Sequence, residues 1–335
     1  MISMIRFIRI NGALGIRISG EAFDTVSQIL RTSLPGVLVV LVLLILGLLL
    51  PAGFMATIRN ILVYICLSIP WVLFFSLGYP SFATGAFYGV GAYIFVYSLL
   101  YGFGPLAGIV VSVLVAVAVA AAIGYVTLRL AGLFFFFATL AILEALRQVL
   151  LYIEINFTGH VGKIVPIIIS DQLSLLLLSV LSIANVLIYS YMRVTRHRIY
   201  MSVVRSDKIL AVSHGLSPYR YSLGIFILTS ALQSICGSVS ALYLLYIDPN
   251  NTLNPLISLL TLIIGLVGGS GNTLGPILSS IIVVSLYEYT SRIASYLNLV
   301  IIGVVVMVFV LYLRTSISDL LDKYLSKIPR GSSRS

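Results

Sequence analysis

RVTRHRIYMSVVRSDKILAVSHGLSPYR, residues 193–220, is the longest polar interruption in an otherwise apolar chain. It carries six basic residues (Arg193, Arg196, Arg198, Arg205, Lys208 and Arg220) against one acid, Asp207. Apolar runs flank it on both sides, and short loops with such a basic excess stay on the cytoplasmic face of a membrane. Within it Ser206 reads as a helix N-cap, Asp207 suits the first turn, Gly215 a C-terminal stop, and Pro218 blocks continuation. The spacing predicts a short helix over Asp207–His214, with Ile209, Val212 and Leu216 at helical spacing. Two readings stand at this point: a docking element presented to the cytosol, or a solvated connector that only sets orientation.

Outward from this loop, the composition is 60% hydrophobic and 9% charged, with a mean hydropathy of +1.14. A soluble domain carries about 25% charged residues, so the fold class is an all-α polytopic membrane protein. A transmembrane β-barrel is excluded, because the apolar runs are about twenty residues long and do not alternate. The net charge of +10 lies mainly in the N-terminal arm, the central loop and the C-terminal tail. That pattern orients a membrane protein and favours anionic headgroups, and it gives no indication of nucleic acid. Cys66 and Cys236 sit inside apolar runs and read as packing residues. His160, His197 and His214 are scattered, which argues against a metal site. The P-loop pattern is absent and no nucleophile–base arrangement stands out, so neither a cofactor nor enzymatic activity is expected.

In order, the apolar runs are near Leu34–Phe54, Ile58–Tyr79, Tyr79–Tyr101, Leu106–Leu128, Gly132–Tyr152, Leu173–Met192, Tyr221–Tyr246, Leu256–Val267, Leu274–Tyr289 and Ile293–Leu313. About ten spans follow, with both termini and the central loop cytoplasmic in a plasma membrane of prokaryotic type. Residues 1–33 form an arm, 34–313 the membrane domain with the loop 193–220, and 314–335 a tail with five basic residues. Two Gly-interrupted regions, Tyr79–Tyr93 and Gly265–Gly275, hold loosely corresponding places in the two halves and point to a two-fold internal repeat. Glu144 and Arg147, three apart, can pair on one helix face. Inside a span they either face a transport path or only orient the helix. Gln233, with Thr229 one turn earlier, either bonds a neighbouring helix or contacts a substrate.

SFATGAFYGVGAY (81–93), LRLAGLFFFFATLAILEALR (128–147), RSDKILAVSHGLSPYRYSLGIF (205–226) and LVGGSGNTLGP (266–276), in this order, resemble the branched-chain amino acid permease family of ABC importers, nearest the M-type subunit. SFATGAFYGVGAY (Ser81–Tyr93) is similar to the family's Gly-Ala-Tyr segment through Ser81, Phe87, Gly89, Gly91, Ala92 and Tyr93. LRLAGLFFFFATLAILEALR (Leu128–Arg147) resembles its Arg-Leu-x-Gly-Leu…Thr-Leu-Ala segment through Arg129, Gly132, Thr139, Leu140, Ala141 and Glu144. Thr158-Gly159 is similar to an outer-loop Thr-Gly-Gly. RSDKILAVSHGLSPYRYSLGIF (Arg205–Phe226) resembles the cytoplasmic coupling segment, with Ala211 and Gly215 in its Ala-x-x-x-Gly spacing. LVGGSGNTLGP (Leu266–Pro276) is similar to the Gly-Gly-x-Gly-Thr-x-x-Gly-Pro run through Gly268, Gly269, Gly271, Thr273, Gly275 and Pro276.

The resemblance implies a permease subunit that pairs with a second permease, cytosolic ATPases and an extracellular solute-binding protein. Ser206, Asp207, Ile209, Ala211, Val212, Gly215 and Leu216 are then expected to seat in the ATPase. Gly89, Gly91, Thr139, Glu144, Gln233, Gly268, Gly269 and Gly271 are the expected path residues. Ala83, Thr84 and His160 depart from the family pattern, which leaves urea, short amides, other amino acids, sugars and nucleosides open as solutes. A secondary transporter driven by an ion gradient competes. It would need several mid-membrane carboxylates or histidines, and Glu144 alone is a fair candidate.

Overall fold

The computed structural model describes residues 20–130, 132–206, 212, 217–293, 300, 303, 304 and 318. Apolar runs in a bilayer must satisfy their own backbone groups, and they do so here as helices. In chain order these are α1 (Gly20–Leu49), α2 (Ala52–Phe75), α3 (Thr84–Leu100), α4 (Pro105–Thr127), α5 (Leu133–Ile153), α6 (Asp171–Val194) and α7 (His197–Ser206). They are followed by α8 (Pro218–Ala241), a short α9 (Pro249–Thr252), α10 (Pro255–Gly268) and α11 (Leu274–Ile293). A π-helical turn, Glu154–Thr158, extends α5. Among the described residues, seven helices are long and apolar enough to cross a membrane, and α3, at 17 residues, is apolar but shorter.

Three boundaries differ from the sequence expectation. The first helix begins at Gly20, well before Leu34, with Pro35 inside it; Glu21 and Arg31 are good helix formers that hydropathy alone passes over. Tyr79–Ala83 is buried but not helical, and α3 starts only at Thr84; Pro80 there has no N–H to give to a helix. The basic loop is helical earlier than expected: Ser206 is the last residue of α7, its hydroxyl donating to the Val203 carbonyl at 3.4 Å, and the turn it is expected to cap lies outside the described residues. That helix forms earlier because Met201 and Val204, one turn apart, are both buried against the bundle. Of the remaining expected helix, Val212 is helical and exposed, and Asp207, Ile209, Ala211, Gly215 and Leu216 lie outside the described residues.

α2 is the axis of the bundle. It packs against α1, α6, α8, α10 and α11, and its apolar window is 78% buried, against 22% for α4 and 17% for α5. Beside it α3 and α8 touch backbone to backbone. A Cβ on Gly237 would stand 1.9 Å from the Tyr88 carbonyl oxygen, and one on Gly91 would stand 2.2 Å from that of Ser234. The Ser238 hydroxyl donates to the Gly91 carbonyl across the same crossing at 3.1 Å. α4 covers this pair with a stripe of small residues, Gly108, Ser112, Ala116, Ala120 and Gly124, one at every fourth position. Without a hydrophobic drive between helices in lipid, such close approach is what holds them.

Phe74, Phe87 and Phe226 fill the space between α2, α3 and α8, with ring centroids 5.1 Å (Phe74–Phe226) and 5.5 Å (Phe87–Phe226) apart. At one end of the bundle a two-residue strand, Lys163–Ile164, pairs antiparallel with Tyr246–Ile247. It ties the loop after α5 to the loop after α8.

Replacing Gly237 with Ala should therefore destabilise the purified protein by about 1–3 kcal/mol, the usual cost of overpacking. Gly224→Ala, on the same helix but with open space at its Cβ position, should be neutral or slightly stabilising. Thermal unfolding in mild detergent checks both, and equal effects of the two would count against the backbone contact.

Candidate functional site

The sequence-expected path residues fall into three separate places. The first is the start of α3, deep in the bundle. The early N–H groups of a helix have no partner within it; here those of the N-cap Ala83 and of Gly85 find side-chain acceptors, as does Phe82 just before the helix. Phe82 N–H donates to the Thr139 hydroxyl on α5 at 2.9 Å. Ala83 N–H donates to the Ser81 hydroxyl at 3.2 Å, and Gly85 N–H to the Ser258 hydroxyl on α10 at 2.8 Å. Gln233 on α8 donates to the Thr84 hydroxyl at 3.2 Å, and the Trp71 indole to the Ser81 carbonyl at 2.7 Å. The start of α10 meets the same spot: a Cβ on Gly85 would lie 3.0 Å from the Asn254 carbonyl oxygen, and one on Gly89 2.4 Å from Leu253 Cγ.

Thr139, Gln233, Gly89 and Gly91 are thus brought around one helix, with Thr139 and Gln233 as its hydrogen-bond partners. The cavity beside them, lined by Trp71, Ser81, Thr229 and Gln233 among others, measures only about 10 Å³. That is room for about one water molecule. Ser81, noted in the 81–93 motif but without a partner, and Ser258, not singled out from the sequence, complete this cluster. A serine in an apolar run carries no mark of which helix it will meet.

The second place is the outward face of α5. Phe135, Thr139 and Leu143, four apart, form its buried edge, which puts Glu144 and Gln148 on the opposite side. Glu144 accepts from Arg147 and, at 2.9 Å, from Gln148. The Glu144 side chain is 40% exposed and that of Arg147 24%. Glu144 sits near the middle of the apolar span Leu133–Phe157, so a partly exposed polar trio lies at mid-span on a side of α5 that the other described residues leave open.

The third is the turn between α10 and α11. Gly268 ends α10 and Gly269 follows with φ of +73°; glycine adopts that conformation without steric cost. Gly268 and Gly275 meet back to back, a Cβ on Gly275 falling 2.2 Å from the Gly268 carbonyl oxygen. Arg193, from the end of α6, donates to the carbonyls of Ser270 and Gly271, and the Tyr189 hydroxyl to Ser270 at 2.9 Å. Gly271 N–H donates to the Ser318 hydroxyl at 3.0 Å. Gly268, Gly269 and Gly271 therefore build a cross-braced turn at the level of the basic loop, and are not grouped with Gln233 or Glu144. Nearby, α7 is held to the end of α2 by Arg205, whose guanidinium stands 5.7 Å from the Phe75 ring centroid.

Comparison with curated proteins and with solved structures gives no match. A family model described as the permease component of branched-chain amino acid transport systems matches residues 53–311, from the start of α2 to beyond α11. That is most of the chain, and the multi-span helical bundle fits it: the protein belongs to the branched-chain amino acid transport permease family.

Proposed function

We propose that this chain is one membrane subunit of an ABC importer, passing a small polar solute by alternating access driven by separate ATPase subunits. Branched-chain or related amino acids are the solute class, in keeping with the family. The observation that carries the path is the Glu144–Arg147–Gln148 trio at mid-span on the uncovered face of α5. A charge at the bilayer centre costs about 2.5–3.5 kcal/mol even on the lenient insertion scales, so lipid is a poor neighbour for this face. A second permease subunit and a column of water are a better one. The interior offers less: the donors at the start of α3 are taken by Thr139, Ser81 and Ser258. The solute then passes between two permeases, along α5, and not through the middle of either.

In this reading α3, α11 and the apolar run at 293–313 join the seven long helices to make about ten spans, with termini and loop 193–220 cytoplasmic and the solute-binding protein on the strand-paired side. A two-fold repeat is supported by which helices pack together. Exchanging α2 with α8, α3 with α10 and α4 with α11 converts the contacts α3–α8, α3–α4 and α4–α8 into α10–α2, α10–α11 and α11–α2, all of which occur. The turn at Gly102, with φ of +85°, then answers that at Gly269, in place of the correspondence between Tyr79–Tyr93 and Gly265–Gly275. Loop 193–220 is where the ATPase docks, with Val212 already presented outward.

Cys66 and Cys236 are fully buried, so the native chain is a quiet background for thiol labelling. In the assembled transporter, Gln148→Cys and Glu144→Cys should react with a membrane-impermeant thiol reagent, and solute should slow the reaction. Leu114→Cys, on the exposed face of α4, should not react. Silence at both α5 positions, with labelling by a lipid-soluble maleimide instead, would place that face in lipid and remove the proposed path.

Gly215→Leu should abolish solute-stimulated ATP hydrolysis and uptake while the chain still inserts and purifies as a monodisperse species. Normal uptake by that variant would remove loop 193–220 from the coupling role.

A further inference from the structure

Between the start of α1, the end of α6 and the start of α7 opens a cleft of about 1220 Å³. Arg31, Arg193, Arg196 and Arg198 line it, and no acidic side chain does among the described residues. Arg193 is spent on the Ser270 and Gly271 carbonyls. These neutral dipoles hold its guanidinium in place and leave its charge uncompensated. Arg31, Arg196 and Arg198 are exposed, and the two ion pairs among the described residues involve Arg59 and Arg147 instead. Four guanidiniums thus line one concavity, with no acidic side chain among the described residues to meet them. Guanidinium groups suit phosphate oxygens in particular, because their planar donors can bind two oxygens at once.

Beyond the cleft, the Arg31 face of α1 continues as an apolar track. Leu38, Val42 and Ile45 lie seven, eleven and fourteen residues after Arg31, which places them on its face of α1. They are 52%, 53% and 56% exposed. A soluble anion has no use for such a track, whereas a phospholipid does: its headgroup would sit among the arginines and an acyl chain would run along α1.

We propose that this cleft binds the phosphate of an anionic phospholipid, with Arg31 and Arg196 as its principal contacts and Leu38 and Val42 under the acyl chain. Basic pockets between spans commonly take anionic headgroups, and this one abuts the Ser270–Gly271 turn that Arg193 braces. Lipid occupancy would therefore stiffen the junction of α6 with the turn between α10 and α11.

The test uses the full chain purified in mild detergent, with phosphatidylglycerol and phosphatidylcholine of identical acyl chains added in turn. Retained lipid is read by native mass spectrometry and stability by thermal unfolding. Phosphatidylglycerol should be retained preferentially and should raise the unfolding midpoint. Arg31→Gln with Arg196→Gln should cut its retention roughly tenfold, while Arg31→Lys with Arg196→Lys, which keeps the charge but loses the two-oxygen fork, should fall between that variant and the unaltered chain. Leu38→Ser with Val42→Ser should weaken retention with all the arginines in place. Equal retention of phosphatidylcholine would overturn the site. So would full displacement of phosphatidylglycerol by millimolar inorganic phosphate, which would make the ligand a free anion. Because the comparison of two lipids is made on the unaltered chain, the outcome does not depend on any variant folding.

Discussion

The contact of α3 with α8 constrains the rest of the bundle. At Gly91 and Gly237 the two backbones approach closely enough that no side chain fits between them, and in lipid this intimacy substitutes for hydrophobic burial. Once α3 and α8 are locked, α4 must present small residues to lie across both. The start of α3 is then buried in the bundle, beside a cavity of about one water's size. Its N–H groups need acceptors from the protein, and Thr139, Ser81 and Ser258 provide them. Packing thus dictates where the polar groups go.

A core so thoroughly interdigitated has little freedom to rearrange internally. Bundles of this kind change state by moving packed bodies against each other, because tightly packed contacts are bistable and do not deform smoothly. The elements with looser attachment are those on the outside. α5 is 17% buried, yet it carries Thr139 on its inner edge and the Glu144 trio on its outer face. It joins the rigid interior to whatever stands beside the chain.

The helical spans were legible in the sequence, since apolar runs of membrane length admit few other structures. What failed was legible only in three dimensions. Tyr79–Ala83 reads as part of a span, because a segment buried on all sides keeps apolar residues whether or not it is helical. Ser206 has the right residue type for a cap, and the earlier helix that ends on it was missed because Met201 and Val204 show their burial against the bundle only in three dimensions. Thr139 and Gln233 were visible as polar residues in apolar runs, and their partners were not: Phe82 N–H and Thr84 are far off in sequence. The glycines of 268–271 read as part of a path, and the structure gives them to a turn braced by Arg193. Glu144 was visible as a mid-span charge, but its direction was not, because its helix has apolar residues on every side.

The direction of Glu144 bears on the kind of machine this is. A carrier working alone keeps its ionisable groups inside its own bundle, where a proton or ion can reach them from alternate sides. Here the Glu144 pair points away from the core, and the polar groups around the start of α3 bond to one another. In the proposed reading a second permease covers that face, and the exposed ion pair becomes part of a wet passage. The basic loop and α7, anchored by Arg205 at the foot of α2, sit on the axis helix of the bundle. A push applied there would be transmitted through α2 to α8, and through α3 and Thr139 to α5, without any internal contact having to break.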